Sequence, residues 1–112
     1  LKKLGFPNAD EAHLLLKTNT SSKTERRNKI LQTHDILLLC GDNLEDFIDA
    51  FENKNSEERK ALVEQLRQEF GKRFIILPNP MYGSWEGALY QYQYPNQTRE
   101  KIRILQQSLT TY

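Results

Sequence analysis

The sequence has little of what would mark many protein classes. One cysteine in 112 residues rules out a disulfide within the chain and a thiolate metal cluster. Cys40 lies in an apolar run and reads as a small buried hydrophobe. Neither sign of charge dominates: 16 basic residues stand against 15 acidic ones, a formal charge of +1, so no global field would recruit a nucleic-acid polymer or an anionic membrane. Two histidines, His13 and His34, have no ligand-like spacing and offer no zinc site. No signal peptide, lipidation motif or long apolar span is visible within these residues. Internal repeats and low-complexity tracts are missing too. What remains, 38% hydrophobic and 28% charged, is the composition of an ordinary globular chain with one domain at most.

The pattern alternates strands with helices. Leu1 to Pro7 reads as the last turn of a helix stopped by Gly5, and so short a turn does not nucleate alone, so the helix body is expected upstream. Leu14-Leu15-Leu16 suits a short buried strand. Ser22-Lys23-Thr24-Glu25 fits a capping box and predicts a helix through Ile30 and Leu31. Asp35 to Gly41 is a continuous apolar run closed by glycine, the pattern of a strand buried on both faces of a parallel sheet. Asn43 to Phe51 predicts a short helix. Ser56 is the expected cap of a longer one, with Leu62, Val63, Leu66 and Phe70 on one face and Gly71 as its stop. Phe74 to Leu77 forms the next strand, and Asn96 is placed as the cap of a terminal helix carrying Ile102, Leu105 and Leu109. The result is an α/β fold with a parallel sheet of about three strands. So few strands leave an edge and apolar faces uncovered, which predicts further strands upstream or a partner chain, and leaves room for an oligomer.

Chemistry concentrates at the carboxyl ends of the strands. Asp42 directly follows the apolar strand, where ligands bind in an open parallel sheet, and Asp46 lies one helical turn further on. Two carboxylates so close repel unless a cation relieves them, and oxygen ligands in that place suit Mg2+. The same residues also suit a capped helix start, with Glu45 and Asp46 complementing its dipole. Lys23 sits at a helix N-terminus, where its charge opposes the dipole unless an anion such as phosphate is near. An ordinary solvated lysine beside Arg26, Arg27 and Lys29 is the alternative. Tyr82 to Gly87 follows the last strand, so an aromatic there can stack on a flat leaving group, or the Tyr and Trp residues can simply pack the loop.

Together these segments resemble a known family. Leu4-Gly5-Phe6, Leu14 to Lys17, Ser22-Lys23, the Gly41-Asp42-Asn43-Leu44-x-Asp46-Phe47 motif, Phe70 to Asn79, and Tyr82-Gly83-x-Trp85-Glu86-Gly87 are similar to the class C acid phosphatases of the haloacid-dehalogenase (HAD) superfamily, which include bacterial lipoprotein-type nucleoside 5′-monophosphate phosphatases. The resemblance implies a partial HAD-like Rossmannoid fold, residues 1–112 being the C-terminal portion of the phosphatase core and incomplete at its N-terminus. It implies Asp42 as direct Mg2+ ligand and Asp46 as the acidic partner that supports the metal site and the lysine. Lys23 matches the active-site lysine, and Tyr82 matches the tyrosine that packs on the substrate's base. The implied reaction is hydrolysis of phosphomonoesters, nucleoside 5′-monophosphates foremost, through an aspartyl-phosphate. Its nucleophile belongs to an Asp-x-Asp-x-Thr motif, and no such motif occurs in these residues. These 112 residues alone are therefore expected to be inactive. The resemblance also implies export and anchoring in the cell envelope. The competing expectation is a catalytically inactive α/β module that binds metal or phosphate and needs another polypeptide. A metal-dependent nuclease would need a basic track and more cleft carboxylates than the sequence offers.

Overall fold

Parallel strands need a crossover, and the chain supplies one. In the computed structural model, which describes residues 1–109, β1 (Leu39–Gly41) leads through α2 (Ser56–Gln65) to β2 (Phe74–Ile76). The two strands pair in parallel with Leu39 opposite Phe74, Cys40 opposite Ile75 and Gly41 opposite Ile76. Before this unit lies α1 (Thr24–Leu31), and after it α3 (Ser84–Leu89) and α4 (Thr98–Ser108). The mixed α/β architecture is the one expected from the alternation of apolar runs.

The start of α2 shows how local sequence sets the frame. The Asn55 side chain accepts from the Glu58 amide at 3.0 Å, and the Glu58 carboxylate accepts from the Asn55 amide at 2.9 Å. This reciprocal box satisfies two orphan donors. The cap is thus Asn55, not Ser56, because the asparagine amide oxygen reaches the third helical amide and leaves Ser56 as the first helical residue. The Asn55 amide, as donor to the charged form, also holds the Glu58 carboxyl below the usual glutamate range. The helix ends at Gln65 rather than running to Gly71, so of the predicted face only Leu62 and Val63 lie on it, with the buried Arg59 one turn earlier, while Leu66 and Phe70 are half-buried in the turns that follow. Gly71 adopts φ 81°, the left-handed turn that lets the chain reverse into β2.

Aromatic side chains make the core. Phe47 stacks on Phe74 with centroids 5.0 Å apart, and Phe70 meets both edge-on at 5.9 and 5.6 Å. Phe47 and Phe51 are fully buried, with Phe74, Ala88 and Tyr90 nearly so. Since Phe47 directly follows Asp46, the core anchors the loop that leaves β1.

Several expectations are corrected. Leu14 to Leu16 is not a strand: no neighbouring strand offers it a ladder among the described residues, and Leu14 and Leu16 are exposed. The sheet therefore has two strands rather than three. The strand expected over Asp35 to Gly41 is only Leu39–Gly41, and it is not buried on both faces, because nothing among the described residues covers Cys40; Leu37 and Leu38, just before it, are exposed as well. The capping box at Ser22 does not form. Lys23 holds the N-cap position, one residue before the expected helix interior, and the Ser22 hydroxyl is turned toward Glu52 instead. The helix expected over Asn43 to Phe51 is two 3-10 turns, Leu44–Asp46 and Asp49–Phe51. Helix α3 was not foreseen. Helix α4 begins after Gln97 rather than Asn96, and Leu109 lies past its end. Residues 110–112 lie outside the described residues.

Candidate active site

Gly41 ends β1 and hands the chain to Asp42 at the carboxyl edge of the sheet. The next turn folds back on itself: Asp46 Oδ2 accepts the backbone amides of Asp42 and Asn43, each at 3.1 Å. A Cβ at position 41 would overlap the Asp46 carboxylate, so only glycine allows this closure. The other Asp46 oxygen, Oδ1, lies 2.5 Å from Lys23 Nζ. One carboxylate thus shapes the Asp42 loop and holds the lysine.

Lys23 arrives from the other side of the cleft on the first turn of α1. Its position is fixed by neighbours on both flanks. Arg27 donates to the carbonyls of Glu45 and Asp46 at 3.1 and 3.0 Å and to Thr24 Oγ1 at 2.9 Å, which ties α1 to the loop. Ser22 Oγ donates to Glu52 Oε1 at 2.6 Å and accepts from the Thr24 amide at 3.3 Å. The unfavourable placement of a cation at a helix N-terminus is offset by Asp46.

Asp42 is oriented by two carboxamides. Its Oδ1 accepts from Asn43 Nδ2 at 3.1 Å and its Oδ2 from Asn79 Nδ2 at 2.7 Å. The Asn79 bond foremost, then the Asn43 bond, outweigh desolvation and hold the Asp42 carboxyl below the usual aspartate range. Asn79 belongs to the loop after β2, so both strands contribute to one carboxylate.

A second network backs the first. Asn43 Oδ1 accepts from the Ser84 amide at 2.9 Å, and a Cβ on Gly83 would overlap that oxygen. Ser84 Oγ accepts from Arg59 Nη2 at 3.0 Å, while Arg59 Nη1 pairs with Glu45 at 3.2 Å and donates to the Phe51 carbonyl at 3.3 Å. Arg59, 6% exposed, links α2, α3 and both turns of the loop. The space between these elements is an open cleft of about 550 Å³, lined by Thr20 to Lys23, Asp42, Asn43, Glu45, Asp46, Glu52, Asn53, Gly83, Ser84, Tyr92 and Tyr94.

Of the residues singled out in the sequence, Lys23, Asp42 and Asp46 share this cleft. Tyr82 stands next to cleft-lining Gly83 but is 67% exposed, and its side chain does not line the cleft. Trp85 packs the loop: its indole donates to the Asn79 carbonyl at 3.1 Å. His13 pairs with exposed Asp10, and neither histidine lines the cleft. Asn79, Glu52 and Arg59 had no role in the sequence reading, Asn43 entered it only as a helix start, and Tyr92 and Tyr94 only as loop packing. Asn43 and Asn79 stand inside the quoted motifs, and their amide chemistry beside a predicted carboxylate was the available signal. Tyr92 and Tyr94 gave none, because they reach the cleft through left-handed backbone at Gln91 and Tyr92, φ 51° and 59°, which pattern does not reveal.

The residues present suit one side of a site for a hard divalent cation. The Asp42 carboxyl is held below the usual aspartate range and keeps lone pairs beyond its two amide bonds, whereas both Asp46 oxygens are engaged. Among the described residues, no group of three or more His, Cys, Asp or Glu side chains forms a metal cluster.

Comparison with known proteins identifies the family. Residues 1–85 match the family model for the HAD superfamily, subfamily IIIB (acid phosphatase). Solved structures of the class C acid phosphatase from Bacillus anthracis superpose with a TM-score of 0.88, at 41% identity for one and 40% for a second with tungstate bound. Each match covers 99% of this chain and 47% of the solved one, so the chain spans about half the length of these relatives. By its sequence over three-quarters of its length, and by a fold that carries the same α/β frame, the chain belongs to the acid phosphatases of HAD subfamily IIIB.

Proposed function

We propose that this chain supplies the lysine and metal-ligand half of an acid phosphatase active site that hydrolyses phosphomonoesters, nucleoside 5′-monophosphates foremost. The observation that carries the reading is the convergence of Lys23, Asp46 and Asp42 at the carboxyl edge of a parallel sheet, with Asp46 bonded to the lysine and to the loop bearing Asp42. In this reading residues 1–112 are the C-terminal portion of one catalytic core domain.

The roles follow from the contacts. Lys23 lines the cleft, where its ammonium would neutralise charge on the transferring phosphoryl oxygens or hold a nucleophilic carboxylate. Asp46 keeps that ammonium in place. Asp42 would hold Mg2+, and the bound ion would supply Lewis-acid charge at the phosphoryl oxygens. The covalent step needs an aspartate from outside these residues, supplied by another part of the protein or by a partner chain. Its carboxylate oxygen attacks phosphorus, the ester oxygen leaves with a proton from a second acid, and water then hydrolyses the aspartyl-phosphate. The Bacillus anthracis relative solved with tungstate bound supports an oxyanion site in this fold. Tyr82, exposed at the end of the β2 loop, is proposed to stack on the base of a nucleotide. An envelope location and lipid anchoring are proposed on resemblance alone.

The test is phosphate release from a nucleoside monophosphate at mildly acidic pH, with and without Mg2+, by the intact protein. Mg2+-dependent release is expected. Absence of release while Mg2+ still binds at Asp42 would favour the inactive binding module.

A further inference from the structure

Asn79 stands out among the side chains around Asp42 because its carboxamide has only one orientation open to it. Its Oδ1 accepts from the backbone amides of Met81 and Tyr82 at 3.1 and 3.4 Å, so the oxygen faces its own loop and the NH2 group must face away. That NH2 group donates to Asp42 Oδ2 at 2.7 Å, the shortest side-chain bond Asp42 makes. The backbone of Asn79 is fixed as well, since its carbonyl accepts from the Trp85 indole. A carboxamide pinned at its oxygen is a rigid donor. Asp42 therefore has one oxygen held from the β2 loop and the other from Asn43, which is itself tied to Ser84 at the start of α3.

We infer that Asn79 is a positioning residue for the metal-ligand carboxylate Asp42, and that it couples this carboxylate to the loop bearing Tyr82. The inference rests on the reading of Asp42 as the Mg2+ ligand. A carboxylate that rotates freely must be ordered when it captures a cation, whereas one held through a pinned amide meets the cation in a single rotamer. The asparagine serves two ends at once: its oxygen closes the turn at Met81 and Tyr82, and its nitrogen orients the ligand. Any shift of the Tyr82 loop is felt at Asp42 through the three bonded atoms Oδ1, Cγ and Nδ2 of one rigid group.

The two ends are separable by substitution. Asn79→Ser keeps a short side-chain acceptor for the Met81 amide and so preserves the turn, but its hydroxyl is too short to reach Asp42. Asn79→Ala removes both. The measurement is Mg2+ affinity by titration calorimetry on the intact protein without substrate, alongside its circular dichroism and thermal midpoint. Asn79→Ser is expected to keep the wild-type spectrum and midpoint while Mg2+ binds on the order of tenfold more weakly, the range found when an outer partner of a metal ligand is removed. Wild-type Mg2+ affinity in Asn79→Ser, with binding lost in Asp42→Asn, would overturn the inference and leave Asn79 a turn residue. Wild-type Mg2+ affinity in Asp42→Asn would overturn the underlying metal reading whatever Asn79 does. Steady-state kinetics add a second readout. Asn79→Ser should raise the Mg2+ concentration needed for half-maximal rate and leave KM for substrate at saturating Mg2+ within about twofold, since the Tyr82 turn survives. A rise in KM alone would also overturn the inference.

Discussion

Replacing Asp46 separates two kinds of role that a carboxylate beside the proposed metal site can have. Its Oδ2 accepts two loop amides, those of Asp42 and Asn43, and its Oδ1 pairs with Lys23, whose side chain is 46% exposed while that of Asp46 is 10% exposed. Water screens the ion pair, so its loss alone costs at most about 1 kcal/mol. The amides are different. Leaving a shielded donor without an acceptor costs about 1–3 kcal/mol, and these two lie in the part-buried turn, so Asp46→Ala should destabilise the protein by roughly 3 kcal/mol in urea unfolding. Asp46→Asn keeps one oxygen for the amides and places its NH2 group against the ammonium, for a loss of about 1 kcal/mol. Both variants release Lys23. Turnover should fall on the order of a hundredfold, as a misplaced group costs, while Mg2+ affinity falls by no more than about tenfold. Equal stabilities for the Asn and Ala variants would refute the claim that the loop hangs on this carboxylate. Complete loss of Mg2+ binding in Asp46→Asn would refute the claim that both its oxygens are already committed.

Further expectations rest on the surrounding contacts. Asp42→Asn should abolish Mg2+-dependent turnover with an unchanged circular dichroism spectrum; near-wild-type rates would remove it from the metal site. Arg59→Ala should cost about 3–5 kcal/mol in urea unfolding, because it strands Glu45 and leaves Ser84 Oγ and the Phe51 carbonyl without their buried donor; a loss below 1 kcal/mol would show that the network repairs itself. Tyr82→Ala should raise KM for nucleoside monophosphates by about tenfold, the worth of one stacked base, and spare a small aryl phosphate; equal losses on both would mean that Tyr82 only packs. The Glu58 carboxyl is held below its ordinary value when folded, so its stabilising contribution is present above the unfolded pKa and is lost as pH falls through the folded one. Glu58→Gln should flatten that acidic limb in thermal midpoints measured across pH, and an unchanged limb would place the titration elsewhere.

How far the sequence could be read depended on whether a feature was local. The strand end closed by Gly41 and the left-handed glycine at Gly71 are short-range patterns that the chain adopts, although the strand is only Leu39–Gly41 and the helix ends at Gln65, before Leu66, Phe70 and Gly71. Asp42, Asp46 and Lys23 were legible because a motif of a few residues places carboxylates at a strand end and a lysine at a helix start. Burial was not local. Cys40, Leu37 and Leu38 read as core because their run is apolar, but a side chain is buried only by what lies opposite, and β1 has one neighbour among the described residues. Ser22 read as a cap; Glu52, thirty positions away in sequence, takes its hydroxyl instead. Arg59 was illegible for the opposite reason. A lone arginine on an apolar stripe gives no sign of its three acceptors, which come from separate elements.

The same distinction explains why so small a sheet can hold a site. Two three-residue strands, paired along one edge each among the described residues, could not by themselves fix a carboxylate to within a fraction of an ångström. Precision comes instead from three interlocking devices at the strand ends. The Phe47–Phe70–Phe74 cluster anchors the loop just past Asp46, the Asp46 carboxylate closes the turn onto Lys23, and the paired amides of Asn43 and Asn79 hold Asp42. Each is made within or next to the βαβ unit and does not call on the exposed face of Leu37, Leu38 and Leu77. It follows that the geometry of Lys23, Asp42 and Asp46 should persist whether or not that apolar face is covered. What covering the face would change is stability, because about 25 cal/mol is gained for each Å² of apolar surface withdrawn from water. Under the proposed reading, the half-site is a preformed unit to which Mg2+, the nucleophile and the second acid would be brought.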